Sequence, residues 1–254
     1  MKKFLLFTAT AAVALLTACS SGSLYNDVRT EETYRRIKDT NPQDLGIKTV
    51  AYTYKITGGE KIDAMTIRMM VGDRLSVTYS KNTKPVFTCI MNKDQFIRIN
   101  ADKKTETLTP AAAGTLKFFY DINFKDPSAA AALITLRNPI PTPEGKDKKA
   151  FFYFDVKAKE GYGVNDFTLK VNAKTGYIEA FDCNYKDELD ADFLVRNVYK
   201  NIAIMSGLTV AQTIESDFLG KNLTFKLANF AVNSKIKAED FTIPGTGKDE
   251  KKTK

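Results

Sequence analysis

No histidine occurs among the 254 residues, which narrows the chemistry open to this chain from the start. Ser-His and Cys-His nucleophilic machinery is excluded, and so is the commonest metal ligand. A Ser-Lys pair is formally open, but no spacing singles one out. The run from Asp182 to Asp192 gathers Asp182, Asp187, Glu188, Asp190 and Asp192, carboxylates that calcium would accept as ligands. It lacks the glycine and spacing of an EF-hand loop and puts Lys186 at a ligand-like position, so a solvated loop is the expectation. Gly161-Tyr162-Gly163 and Gly245-Thr246-Gly247 read as turn and tail glycines, because neither stands between a strand and a helix where a phosphate would sit. Two carboxylates distant in sequence, as a glycosidase uses, leave no local mark, and nothing favours them. The chain is read as non-catalytic, with no cofactor and no metal.

Chemistry of another kind is legible at Cys19. Met1-Lys2-Lys3 is basic, Phe4 to Leu16 form an uncharged run, and small Ala18 precedes the cysteine, which together make a secretory signal. The run is too short for a bilayer, which takes roughly 20 apolar residues. Leu16-Thr17-Ala18-Cys19 resembles a bacterial lipobox. That likeness implies diacylglyceryl transfer to the Cys19 thiol, cleavage after Ala18 and acylation of the new amino terminus. Two or more acyl chains anchor stably, at about 0.8 kcal/mol per buried methylene. Ser20, where enteric bacteria place Asp to retain a lipoprotein at the inner membrane, points to the outer membrane facing the periplasm.

Removal of residues 1–18 takes Lys2 and Lys3 with it, so the formal charge falls from +8 to +6. Part of the remainder lies in the tail Gly247 to Lys254, a solvated segment rather than a nucleic-acid footprint. An exported chain meets no nucleic acid, whereas a mildly basic surface suits anionic lipid. Cys89 and Cys183 remain; an oxidising compartment permits a disulfide between them, and two buried free thiols fit equally well.

The elements that would position such groups follow from periodicity. Asn26 or Asp27 can cap a helix running to about Lys38, ended by Asn41-Pro42. From Ile47 the period is two: Val50, Tyr52, Tyr54 and Ile56 share a face, as do Met65, Ile67, Met69 and Val71, then Leu75, Val77 and Tyr79. Further short strands follow to Thr109. There Thr109-Pro110 and Asp126-Pro127 each open a short Ala-rich helix, and a proline-rich loop spans 138–149. Strands resume with Phe167, Leu169 and Val171 in a hairpin turning at Lys174 to Gly176, and with Leu223, Phe225 and Leu227 near the end. The segment from Phe193 to Gly207 fits helix and strand alike and is read as strand. The sum is mainly β, about ten strands with one apolar face and two inserted helices. Such a face must be covered by a second sheet, by barrel closure or by the helices.

This order resembles the lipoprotein-localisation carriers, the LolA and LolB family, over roughly Thr49 to Pro244. The closing run from Leu223 leads to Val232-Asn233, a short loop, then Phe241 and Pro244, and the hairpin from Phe167 to Asp182 is similar to the family's central hairpin. The resemblance implies an open, half-closed antiparallel β barrel whose inserted helices act as a lid. It further implies an apolar cavity for acyl chains of lipids or lipoproteins, and carriage without catalysis. On that reading the cavity candidates are Met65, Ile67, Met69, Leu116, Phe118, Phe119, Ile122, Leu133, Leu136, Phe167, Leu169, Leu223 and Phe225. Small faces at Ala111 to Ala113 and Ala129 to Ala132 either leave room for a chain or let the helices pack tightly with none. The classical soluble carrier is not lipidated, so Cys19 points to the receptor end of such a pathway or to a relative serving another lipid. No counterpart of the receptor's protruding apolar loop is visible. A second reading is an anchored structural module with a closed core that binds an envelope protein partner. The expected layout is a signal at 1–18, anchor and helix at 19–46, the barrel at 47–244 and a charged tail at 245–254.

Overall fold

The computed structural model describes residues 42, 45–124, 134–140, 151–158, 161–162, 167–172, 175, 177–186, 192–218 and 221–244. The expected signal, Cys19, the N-terminal helix and the charged tail lie outside them. The strands are β1 (Thr49–Thr57), β2 (Ala64–Met70), β3 (Arg74–Lys81), β4 (Lys84–Asn92), β5 (Gln95–Asn100) and β6 (Thr105–Thr107). Helix α1 (Pro110–Phe124) follows. Then come β7 (Ile134–Ile140), β8 (Phe151–Ala158), β9 (Phe167–Asn172), β10 (Ile178–Lys186), β11 (Asp192–Met205), β12 (Leu208–Phe218) and β13 (Lys221–Val232). A 3-10 turn, Ala238–Phe241, is the last described element.

Among the described residues, 13 strands form one antiparallel sheet in the order β6-β5-β4-β3-β2-β1-β13-β12-β11-β10-β9-β8-β7. Sequence neighbours pair throughout, because hairpins are the cheapest way to satisfy ladders. The one exception is β1 with β13, which splices an amino-terminal meander to a carboxy-terminal one, with Val50 opposite Val232 and Thr57 opposite Thr224. The sheet stays open, and its edges are β6 and β7. Those two strands flank α1 in sequence, so the connection between the edges carries the helix over the inner face.

Alternation decides that face. Val50, Tyr52, Tyr54 and Ile56 of β1 are buried while Ala51, Thr53, Lys55 and Thr57 are not, and Met65, Ile67 and Met69 of β2 continue the layer. Phe167, Leu169 and Val171 of β9, and Leu223 and Phe225 of β13, complete it in a single cluster. At the far end β12 leaves β13 before Thr213, and the Tyr54 hydroxyl takes up the Ala211 carbonyl at 3.2 Å. A second, smaller core forms on the outer face, where Phe241 and Ile243 cover Ile90 and Ile97. Asn233 holds the closing segment in place: its side-chain oxygen accepts from the Lys48 N–H at 2.7 Å and its own N–H donates to the Thr49 carbonyl at 2.8 Å.

The segment from Phe193 to Met205 is strand, as read from its β-branched residues. The second inserted helix is corrected in part. Ile134 to Leu136, expected to end it, belong to β7, where β-branched Ile134 and Thr135 favour extension. Pro139 is tolerated there because β7 is an edge strand and needs no donor on its open side. Residues 125–133 lie outside the described set. No helix among the described residues is long and apolar enough to cross a membrane.

The hairpin between β1 and β2 turns at Gly58, whose φ is +87° and where a Cβ would run into the Asn222 carbonyl oxygen at the start of β13. Gly58→Ala therefore costs more than about 1 kcal/mol of stability, read from urea denaturation as a lowered midpoint with an unchanged slope.

Candidate functional site

The candidate site is the inner face with α1 seated in it. Thr109 opens the helix, its hydroxyl accepting from the Ala112 N–H at 3.4 Å, and Pro110 fills the first position, where no donor is needed. Leu116, Phe118 and Phe119 are at most 1% exposed, and Ala112, Tyr120 and Phe124 are buried with them. Phe118 stands edge-on to Tyr162 at 5.5 Å and to Phe167 at 5.9 Å, and Phe167 in turn lies 4.7 Å from Phe181. An aromatic row thus runs from the helix across β9 into β10. Edge-to-face pairs add about 0.5–1.5 kcal/mol beyond their burial.

Polar tethers fix the helix at two points. Tyr120 donates to the Met70 carbonyl at 2.9 Å and accepts from the Asp73 N–H at 3.0 Å, so one hydroxyl bridges the turn between β2 and β3. Tyr162 donates to the carboxylate of buried Asp121 at 2.9 Å. Burial, with Asp121 alongside, pushes the Tyr162 phenol well above its ordinary range, and burial does the same to Tyr120. Both therefore stay protonated donors. Asn123 near the end of the helix donates back to the Phe119 carbonyl at 2.8 Å.

Of the residues read as cavity candidates, Met65, Ile67, Met69, Leu116, Phe118, Phe119, Phe167, Leu169, Leu223 and Phe225 are all buried in the one inner cluster. Leu133 and the side chains of Ile122 and Leu136 lie outside the described set. Cys89 points into the same cluster as a free thiol, held protonated by desolvation that pushes it up to about 12 against the opposing charge of Arg98. The Cys183 side chain is not described. Asp182, read as part of a loop, lies in β10 and forms a bidentate pair with Arg196 at 2.9–3.1 Å on the outer face. Among the described residues no cluster of acidic or thiol groups could hold a metal. Tyr120, Asp121 and Tyr162 were not singled out from sequence. A tyrosine in an apolar run counts toward the core there, and nothing local shows that its hydroxyl will reach a turn 50 residues away.

No protein-family model matches the sequence, and no curated protein matches it. Solved structures do match the fold. A LolA superfamily protein from Nitrosomonas europaea superposes with a TM-score of 0.56 at 11% identity, covering 85% of this chain and 99% of that one. A DUF1329 family protein from Desulfovibrio piger gives 0.54 at 9%, covering 84% and 96%. A Vibrio parahaemolyticus domain assigned by its name to outer membrane lipoprotein sorting gives 0.53 at 9%, covering 84% and 94%. The fold is LolA-like: an open antiparallel barrel with a helix as lid.

Tyr120→Phe removes both tethers at the turn between β2 and β3 and lowers stability by about 1–2 kcal/mol in urea denaturation. In an alkaline titration the denaturation midpoint holds to about pH 9 and falls above it. The unfolded Cys89 thiol ionises near its ordinary value of 9.0 while the folded one stays protonated to about 12, so the unfolded state binds fewer protons in that window. Cys89→Ala reduces the slope between pH 9 and 10.

Proposed function

We propose that this chain is a lipid-anchored, periplasm-facing protein of the cell envelope that carries or accepts acyl chains of lipids or lipoproteins, without catalysis. The observation that carries this reading is the inner face itself: one apolar cluster spans both meanders, and among the described residues the element filling it is helix α1, which lies in sequence between the two sheet edges. An acyl chain needs a dry apolar groove and nothing else, and a helix that swings out exposes Met65, Ile67, Met69, Phe167, Leu169, Leu223 and Phe225 at once. Flexible thioethers at Met65 and Met69 suit chains of varied shape. The helix is the cover of the empty state, and its Phe118 and Phe119 occupy what the chains would take. Cys19 supplies the membrane anchor, and Ser20 favours the outer membrane. The fold likeness to a LolA superfamily protein and to a domain named for outer membrane lipoprotein sorting supports the same reading by analogy.

A second reading, a closed module that binds an envelope protein through its surface, is favoured by the complete burial of Leu116, Phe118 and Phe119. One experiment separates them. The exported chain bearing Cys19→Ser leaves the membrane fraction for the soluble periplasm, and native mass spectrometry of it shows a discrete added mass that departs as a phospholipid or acylated species. Added fatty acid also displaces an apolar dye from it. A clean apo mass with no dye displacement rejects the carrier and leaves the closed module.

A further inference from the structure

The inner face of β11 and β12 carries a polar pair in the middle of its apolar layer. Asn197 is 0% exposed and Ser216 2%. The two stand directly opposite each other in the ladder. Among the described residues, neither amide atom of Asn197 nor the Ser216 hydroxyl finds a hydrogen-bond partner. An unpartnered buried polar group costs about 1–3 kcal/mol, and the same positions filled by Leu and Ala would cost nothing of the kind.

The surroundings define what would satisfy the pair. Along β11 Asn197 sits between buried Val195 and Tyr199, and across the ladder it faces Phe181, while Ser216 faces Leu223 and follows buried Ile214. Charged neighbours Arg196, Glu215 and Asp217 fall on the opposite face by alternation, and Arg196 is engaged there by Asp182. The described strand residues around the pair on this face are therefore uncharged. The pair offers two amide protons, an amide oxygen and a hydroxyl that can turn either way. A carboxylate or phosphate placed there would be buried without a counter-charge, which is heavily penalised, whereas the ester carbonyls of an acylated glycerol are neutral acceptors for the Asn197 amide protons and the Ser216 hydroxyl. The position also fits the route from the lid: Phe118, Phe167 and Phe181 form the aromatic row, and Asn197 is the next residue across from Phe181.

We propose that Asn197 and Ser216 form a neutral polar subsite that receives the glycerol-ester group of an acylated molecule whose chains lie along the inner face. This rests on the carrier reading above and adds the class of head group to it. Two sources carry that group, a glycerophospholipid and the diacylglyceryl cysteine of a lipoprotein.

The test uses the exported Cys19→Ser chain, an apolar dye and 1-palmitoylglycerol as displacing probe. Asn197→Leu with Ser216→Ala is expected to bind the dye as the parent does, with displacement by 1-palmitoylglycerol weakened about tenfold, the loss expected for one or two hydrogen bonds. Ser216→Ala alone removes one hydroxyl, perturbs packing least and weakens displacement about threefold, so it decides the matter should the double variant fail to fold. Unchanged displacement with unchanged dye binding overturns the subsite and leaves the carrier standing. If the parent chain binds neither dye nor probe, both readings fall. Competition between a dipalmitoyl phosphatidylethanolamine and a diacylglyceryl-cysteine peptide then assigns the source: whichever loses more affinity in the Ser216→Ala variant is the ligand the subsite reads, and equal, unaltered affinities for both overturn it.

Discussion

The pairing of β1 with β13 is the constraint on which the rest of this structure depends. Every other strand contact is a hairpin between sequence neighbours, formed at little loop-closure cost. The β1–β13 ladder instead joins residues about 170–180 positions apart, from Thr57 with Thr224 to Val50 with Val232. Once it forms, two meanders become one sheet, and the free edges are necessarily β6 and β7. Because the chain passes from one edge to the other through α1, the helix has to cross the inner face. Lid and barrel are thus consequences of one splice, and the Asn233 side chain and the Phe241–Ile243 strap reinforce it from the outer side.

The helix that results is held by two kinds of force that respond differently to a ligand. Burial of Leu116, Phe118 and Phe119 is non-directional, and acyl chains in their place would restore apolar cover to the sheet face they leave. The Tyr120 bridge and the Tyr162–Asp121 bond are directional and exist only when the helix is seated. On the proposed carrier reading, exchange of helix for ligand would trade one apolar occupant for another, and its cost would lie in these few hydrogen bonds, each worth about 1 kcal/mol net. Unsatisfied polar groups at Asn197 and Ser216 tilt the balance the other way, since they are penalised while the helix is in and relieved only by a polar occupant.

Much of this was legible without coordinates because it is written in local patterns. Alternation at Val50 to Ile56, Met65 to Met69 and Phe167 to Val171 identifies strands and their buried side, since a pleated strand sends successive side chains to opposite faces. Thr109-Pro110 marks the helix start through a missing donor. The missing histidines limit the chemistry. What failed locally was the stretch before Asn138: an Ala-rich run invites a helix, yet Ile134 to Leu136 are drawn into β7 by pairing with β8, a contact that intrinsic propensity does not contain.

By itself, then, the sequence determined the class of fold, the sidedness of its strands and the apolar character of the inner face, because each depends on residues a few positions apart. Tertiary structure alone decided which strands become edges, that α1 is buried rather than laid on the surface, and that Tyr120 reaches Met70 and Asp73. It also decided that Asn197 and Ser216 meet inside the core. Those outcomes depend on contacts between distant segments, and a residue's partner across the sheet is set by register, which no local spacing encodes.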